Sequence, residues 1–214
     1  TYDKTPLNTI NRYTARASYD KETIKSIIGE AKIGHVSWVD DEGMPQCLPM
    51  LGAVEDVEGD LFLYFHGYAG GRFTKGLNEK GTRVVVTFTI LDGYVLALSH
   101  YSTDLNYRSA ILHGYTLPFG SLSSDSLPST PPLESTKAEK LRNVVEGAIP
   151  GRWPHARLPT ETEVNSTGLI RVLVESASAK VRAGGVKNEK KDLEDGELVK
   201  RVWTGVVPVQ RTVG

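Results

Sequence analysis

The chain has 214 residues, 39% of them hydrophobic and 24% charged, with a formal net charge of -1, which is the composition of one globular domain with a substantial core. A charge so near zero gives no global field to gather nucleic acid or anionic lipid, so neither is an expected partner and any cationic site has to be local. Cys47 is the only cysteine, which excludes an internal disulfide, and no apolar run nears the roughly 20 residues of a membrane span; a cytoplasmic, reducing setting is expected.

Residues 1–9 show no periodicity and read as an arm or untethered end. Asp20 is a candidate N-cap, and Ile24, Ile27, Ile28 and Ala31 recur at helical spacing, which predicts an amphipathic helix over 21–32. The period then changes to two: 35–39 and 46–51 read as a hairpin around Asp40-Asp41-Glu42-Gly43. A turn at 56–60 leads into an apolar strand at 61–66. That strand feeds a glycine turn and then Arg72, Thr74 and Lys75 at the start of a short helix over 71–79. Glycines let backbone N–H groups turn toward an anion, and a helix start adds its own positive end to the charge of Arg72 and Lys75, so 61–77 has the make-up of an anion cradle. A strand-turn-helix with a solvated basic first turn has the same pattern.

After Lys80-Gly81 breaks the helix, 83–90 resumes as a strand rich in β-branched residues. Leu91-Asp92-Gly93 reads as a turn, and 94–100 and 106–117 complete six strands with short connections. Such connections cannot hold right-handed crossovers, so the pattern predicts an antiparallel barrel, mainly β with flanking helices. Residues 119–136 are Ser/Pro-rich and read as a flexible surface insertion within one domain spanning 1–214. A helix over 137–148, a rigid turn at 150–154 and a short helical piece at 161–166 follow. Strands at 169–174 and 201–207 close the chain, with 187–200 an exposed hairpin or loop between them.

No G-x-S-x-G accompanies the His66–Gly71 loop, which sets aside a serine hydrolase, and neither G-x-G-x-x-G nor a nucleoside-triphosphate loop is present. The five histidines, His35, His66, His100, His113 and His155, show no metal-ligand spacing, so no metal is expected. His66 ends the strand that enters the cradle, where it could contact a ring system or, in another reading, ligate haem. Asn106, Tyr107, Arg108 and Ser109 cluster polar groups that could read a polar ring edge or face solvent. Lys180 and Arg182 read as a solvated face, and Trp203 as a core aromatic or the wall of a ring pocket.

The motifs H-G-x-A-x-x-R from His66, L-D-G-x-V-L-A from Leu91, N-Y-R-S from Asn106, P-G-R-W from Pro150 and S-A-K-V-R from Ser178 occur in a fixed order. In that order the chain resembles the pyridoxamine 5'-phosphate oxidase-like family of FMN-binding split β-barrels. It is most similar to the flavin-nucleotide-binding subgroup related to nitroimidazole-resistance proteins, over residues 11–209 apart from the insertion. The resemblance implies a six-stranded split barrel completed as a homodimer, with FMN in clefts at the subunit interface. It puts Leu48, Pro49, Met50 and Leu51 along the flavin ring, His66 and Gly67 beside it, and Gly71, Arg72 and Phe73 around the phosphate, with Arg72 as clamp and Lys75 in support. Arg108 and Ser109 are implied to reach the flavin from the other subunit, Tyr107 to lie near a substrate and Trp203 to stand beside the ring. Ala53 replaces the family's substrate-phosphate lysine and the C-terminal Arg-x-His is missing, so pyridoxamine phosphate oxidation is not expected. The resemblance implies an FMN-dependent oxidoreductase acting between a nicotinamide cofactor and a small molecule, with no side chain assigned as acid or base. A flavin-sequestering protein and a haem-binding relative using His66 are the alternatives.

Overall fold

A computed structural model describes residues 1–78, 81–117 and 137–210, without the side chains of Arg72 and Asn78; the expected Ser/Pro-rich insertion lies outside the described residues. Helix α1 (Lys21–Ala31) starts as the sequence predicts: the Asp20 carboxylate accepts from the Thr23 N–H at 2.9 Å, which satisfies one of the donors a helix start leaves open. Its apolar stripe of Ile24, Ile27, Ile28 and Ala31 is buried in the barrel core, and each isoleucine contributes about 1.5–3 kcal/mol by leaving water.

Six long strands form the barrel: β2 (Ile33–Val39), β3 (Pro45–Val57), β4 (Asp60–Tyr68), β5 (Arg83–Leu96), β6 (Asp104–Leu117) and β7 (Thr167–Arg182). Every neighbouring pair is antiparallel, the order is β7-β4-β3-β2-β5-β6, and pairing of β6 with β7 closes the ring. Two short strands attach outside it, β1 (Ala17–Ser18) to β7 and β8 (Gly205–Pro208) to β5. Alternation sends Val36, Leu63, Phe65, Val86, Phe88, Leu112 and Val172 inward against α1. A second core forms where Phe62 and Tyr64, on the other face of β4, pack against Leu141 and Val144 of α3 (Lys137–Ala148). The short helix α2 (Arg72–Asn78) follows β4, and α4 (Glu161–Ser166), closed by a capping box between Thr160 and Glu163, precedes β7.

Six strands were expected, but their membership differs. The turn expected at Leu91-Asp92-Gly93 is a bulge inside one strand: Leu91 pairs with Tyr107 and Gly93 with Asn106, leaving Asp92 extra. The closing strand expected at 169–174 runs on to Arg182, because Ala177 and Ala179 are small enough to continue the barrel interior. The expected loop at 187–200 contains helices α5 (Lys190–Glu194) and α6 (Gly196–Arg201), the latter capped by Asp195, and the last strand begins only at Gly205. Residues 1–9 are not untethered. Asn8, 2% exposed, donates to the Asp3 carbonyl at 2.8 Å and to the Ala177 carbonyl at 3.2 Å, and accepts from the Thr5 N–H at 2.7 Å.

Candidate functional site

Strand β4 delivers its end to the mouth of the barrel, where the chain turns into α2. The Gly71 N–H and the Thr74 hydroxyl both donate to the Tyr68 carbonyl at 2.9 Å, which ties the glycine turn to the first helical turn. Phe73 and Leu77 are buried, and Phe73 meets Trp38 of β2 edge-on at 5.4 Å between ring centres. Under α2 lies a cross-strand pair of glycines, Gly67 of β4 opposite Gly168 of β7. A Cβ on Gly168 would sit 2.2 Å from Thr74 Cγ2, so only glycine admits the helix at this height.

The resulting cavity has a volume of about 340 Å³. Five of the residues singled out from the sequence line it, Leu48, Met50, Gly67, Gly71 and Phe73, joined by Trp38, Gln46 and Thr74. Its walls are mostly apolar, and the turn and α2 form one end. Arg72 opens α2, and Lys75 stands exposed one turn further on.

The other predicted residues lie elsewhere. Pro49 alternates to the outer face of β3, opposite His35, and Leu51 packs toward α3. His66, one residue before Gly67, belongs to the face of β4 that carries Phe62 and Tyr64. It is half-buried, its Nδ1 has no hydrogen-bond partner among the described residues, and burial holds its pKa below the ordinary histidine value, so the ring is neutral near pH 7.

Tyr107, Arg108 and Ser109 sit together on β6. Arg108 is engaged within its own chain: Nε and Nη2 reach the Asp92 carboxylate at 2.9 and 2.7 Å, and Nη1 and Nη2 reach Glu30 of α1 at 2.5 and 2.7 Å. These two carboxylates keep the guanidinium charged at any accessible pH. Their effect is to tie α1, the β5 bulge and β6 together. Arg182 is not a solvated cation, as expected, but 8% exposed: its Nη1 donates to Asn106 Oδ1 at 2.6 Å and its Nε lies 2.8 Å from Asp104. Asn106 in turn exchanges two 3.0 Å bonds with Gly184, so the N-Y-R-S and S-A-K-V-R motifs meet in one buried network that steers the chain out of β7. Trp203 is 63% exposed, with its ring over Gly205.

Sequence reasoning missed Trp38 and Gln46 as lining residues, although both share the inward parity of Leu48 and Met50 and could have been read from it. Gly168 carried no local signal, since its role exists only opposite Gly67. A larger cavity of about 970 Å³ adjoins the first, sharing Trp38, Gln46 and Cys47. Leu7, Val39, Pro45 and Val85 are among its apolar walls; its charged wall residues, Arg83 and Glu175, pair with each other. Among the described residues no helix is long and apolar enough to cross a membrane, and no group of three or more metal-ligating side chains occurs.

A family model described as pyridoxamine 5'-phosphate oxidase matches residues 20–119. Among solved structures, the flavocytochrome Anf3 from Azotobacter vinelandii is 33% identical, with a TM-score of 0.76 over 98% of this chain and 86% of that one. A FAD and heme binding protein from Mycobacterium smegmatis is 27% identical, with a TM-score of 0.74 over 93% and 86%. A candidate 5-nitroimidazole antibiotic resistance protein from Bacteroides thetaiotaomicron, 22% identical with a TM-score of 0.57 over 77% and 86%, shares the fold. Comparison with curated proteins gave no match. With this family model matched and a relative of 33% identity over 98% of its length, the chain belongs to the pyridoxamine 5'-phosphate oxidase-like split β-barrel family.

Proposed function

We propose that the chain is a flavoprotein that holds FMN at the barrel mouth and serves as an oxidoreductase between a nicotinamide cofactor and a small molecule. One observation carries this reading: Leu48 and Met50 of β3 and Gly67, Gly71 and Phe73 of the β4-α2 segment converge on one cavity. The donor set fits the group. Leu48, Met50 and Trp38 offer apolar surface to a flat ring, and the turn with Arg72 and Lys75 offers positive charge suited to a single phosphate. The flavin, when bound, supplies the hydride or electron transfer, and the chain's residues bind and orient it. Ala53, 8% exposed under α3, leaves no lysine for a substrate phosphate, which disfavours pyridoxamine phosphate oxidation.

A homodimer belongs to the same proposal. Ile33 and Val39 of β2 and Ile111 of β6 are 44%, 59% and 42% exposed on the outer face of the barrel, apolar side chains that a second copy would cover. Light scattering of the purified protein tests it, and a monomer that retains flavin would count against a shared cleft. The test of the cofactor is an absorption spectrum with mass identification of what denaturation releases: FMN supports the reading, FAD moves it to the dinucleotide, and a colourless protein that takes up neither refutes it. Bleaching by NADH or NADPH followed by reoxidation with a quinone or nitroaromatic separates an enzyme from a flavin store.

A haem-binding reading has its own support, the neutral, unpartnered Nδ1 of His66, alongside two similar structures named for a flavocytochrome and for FAD and haem. A Soret band lost in His66→Ala tests it.

A further inference from the structure

We propose that Arg12, Tyr13 and Arg16 form a second binding site, separate from the barrel mouth, for the diphosphate group of a nucleotide-type ligand. The segment is staked at both ends: the Ile10 N–H donates to the Tyr19 hydroxyl at 3.0 Å, and Ala17 and Ser18 pair with Lys180 and Ala179 of β7. Between these stakes Tyr13 adopts a left-handed backbone, φ 58 and ψ 56, which a bulky non-glycine residue adopts only when its surroundings enforce it. The strained residue is 51% exposed, so core packing does not account for its geometry.

The conformation brings two guanidiniums to one ring. Arg16 lies 4.2 Å and Arg12 4.9 Å from the ring centre, and Arg12 Nη2 also donates to the Tyr13 hydroxyl at 3.2 Å. Among the described residues neither guanidinium has a carboxylate partner. Asp104, whose charge reaches Tyr13, is held by Arg182 at 2.8 Å. Two guanidiniums without a carboxylate partner on one aromatic support leave positive charge for an anion to neutralise. A single carboxylate neutralises one fork; a diphosphate offers each planar fork a phosphate of matching geometry.

The experiment is calorimetric titration of the intact, flavin-loaded protein with pyrophosphate, ADP, FAD and adenosine at low ionic strength. Pyrophosphate and ADP are expected to bind and adenosine not to, with affinity falling as salt rises. Either order of ADP and FAD supports diphosphate recognition and tells a free nucleotide from a dinucleotide. Arg12→Ala and Arg16→Ala should each weaken pyrophosphate roughly tenfold, the size of one charge-assisted hydrogen bond. Tyr13→Gly, which suits the left-handed backbone, should weaken binding while leaving the melting temperature equal or higher. Absence of pyrophosphate binding at millimolar concentration overturns the proposal. So does equal binding by the Arg12→Ala/Arg16→Ala double variant, or loss of binding in Arg72→Ala alone, which would place the anion at the barrel mouth. Because flavin retention is read separately, failure of this site leaves the flavin proposal standing, and the reverse holds too.

Discussion

Replacing Gly168 by alanine probes the step on which α2 rests. The new Cβ would lie 2.2 Å from Thr74 Cγ2, 2.9 Å from Thr74 Oγ1 and 3.1 Å from Thr74 Cβ, where carbon atoms in contact normally keep about 3.5–4.0 Å. Thr74 has little room to turn aside: it is β-branched, 4% exposed and bonded through its hydroxyl to the Tyr68 carbonyl. The helix must therefore retreat by about 1.5 Å, taking Phe73 and the Gly71 turn with it. Overpacking of this kind costs about 1–3 kcal/mol, which at this chain length lowers the melting temperature by roughly 2–4 °C per kcal/mol. If flavin binding must drive α2 back into place, affinity falls about 5- to 150-fold, the equivalent of that same cost. Thermal melts and flavin retention after dialysis report the two effects. Adding Thr74→Ala removes the clashing methyl, and a double-mutant cycle should give at least about 1 kcal/mol of favourable coupling. An unchanged melt and unchanged retention in Gly168→Ala would refute the idea that the glycine pair sets the height of α2.

Arg108→Ala should cost about 1–2 kcal/mol, a discounted figure because the side chain is 29% exposed; Asp92→Ala should cost a similar amount and the pair little more than either, so additive losses in urea melts would show that the two do not act as a unit. The His66 pKa lies below that of the unfolded chain because burial penalises the charged ring. The unfolded chain thus takes up the proton first, and this contribution to stability is full above about pH 6.5 and declines as pH falls toward the folded pKa. His113 is depressed by the same cause, so His66→Gln should flatten part of the acid limb and His66→Gln/His113→Gln more of it; a limb identical to wild type would exclude His66. Asn8→Ala removes three hydrogen bonds at about 0.5–1.5 kcal/mol each and should speed amide exchange across 2–10, whereas unchanged protection would mean that the N-terminal segment is held by other contacts.

What could be read from the sequence depended on whether the deciding contact was local. The start of α1 was legible because Asp20 and Thr23 are three residues apart. The Asp92 bulge was misread because Asp-Gly is a turn signal, and only Arg108 on the next strand shows why the chain goes straight on. Residues 176–182 read as an extended segment but not as part of the closing strand, because serine and alanine form strands poorly on their own and the stretch is held by pairing along β6. Five candidate residues meet at one cavity because alternation along β3 and the β4-α2 turn are short-range features. Arg108 belongs instead to an ion cluster whose members come from α1 and β5, and spacing along the chain could not bring those together.

Closure of the ring by β6 and β7 has a consequence for assembly. Every long strand has a partner on each side, but not along its whole length: residues 45–51 of β3 pair only with β2 and residues 52–57 only with β4, so the ring keeps stretches of free backbone edge. Outside that hydrogen-bonded frame, the side chains of Ile33, Val39 and Ile111 stand exposed on the outer faces of the strands, where a contact with another molecule would form. A contact written in side chains can be altered one residue at a time without disturbing the hydrogen-bonded frame behind it. Barrels of this design can then diverge in their partners while keeping an unchanged core.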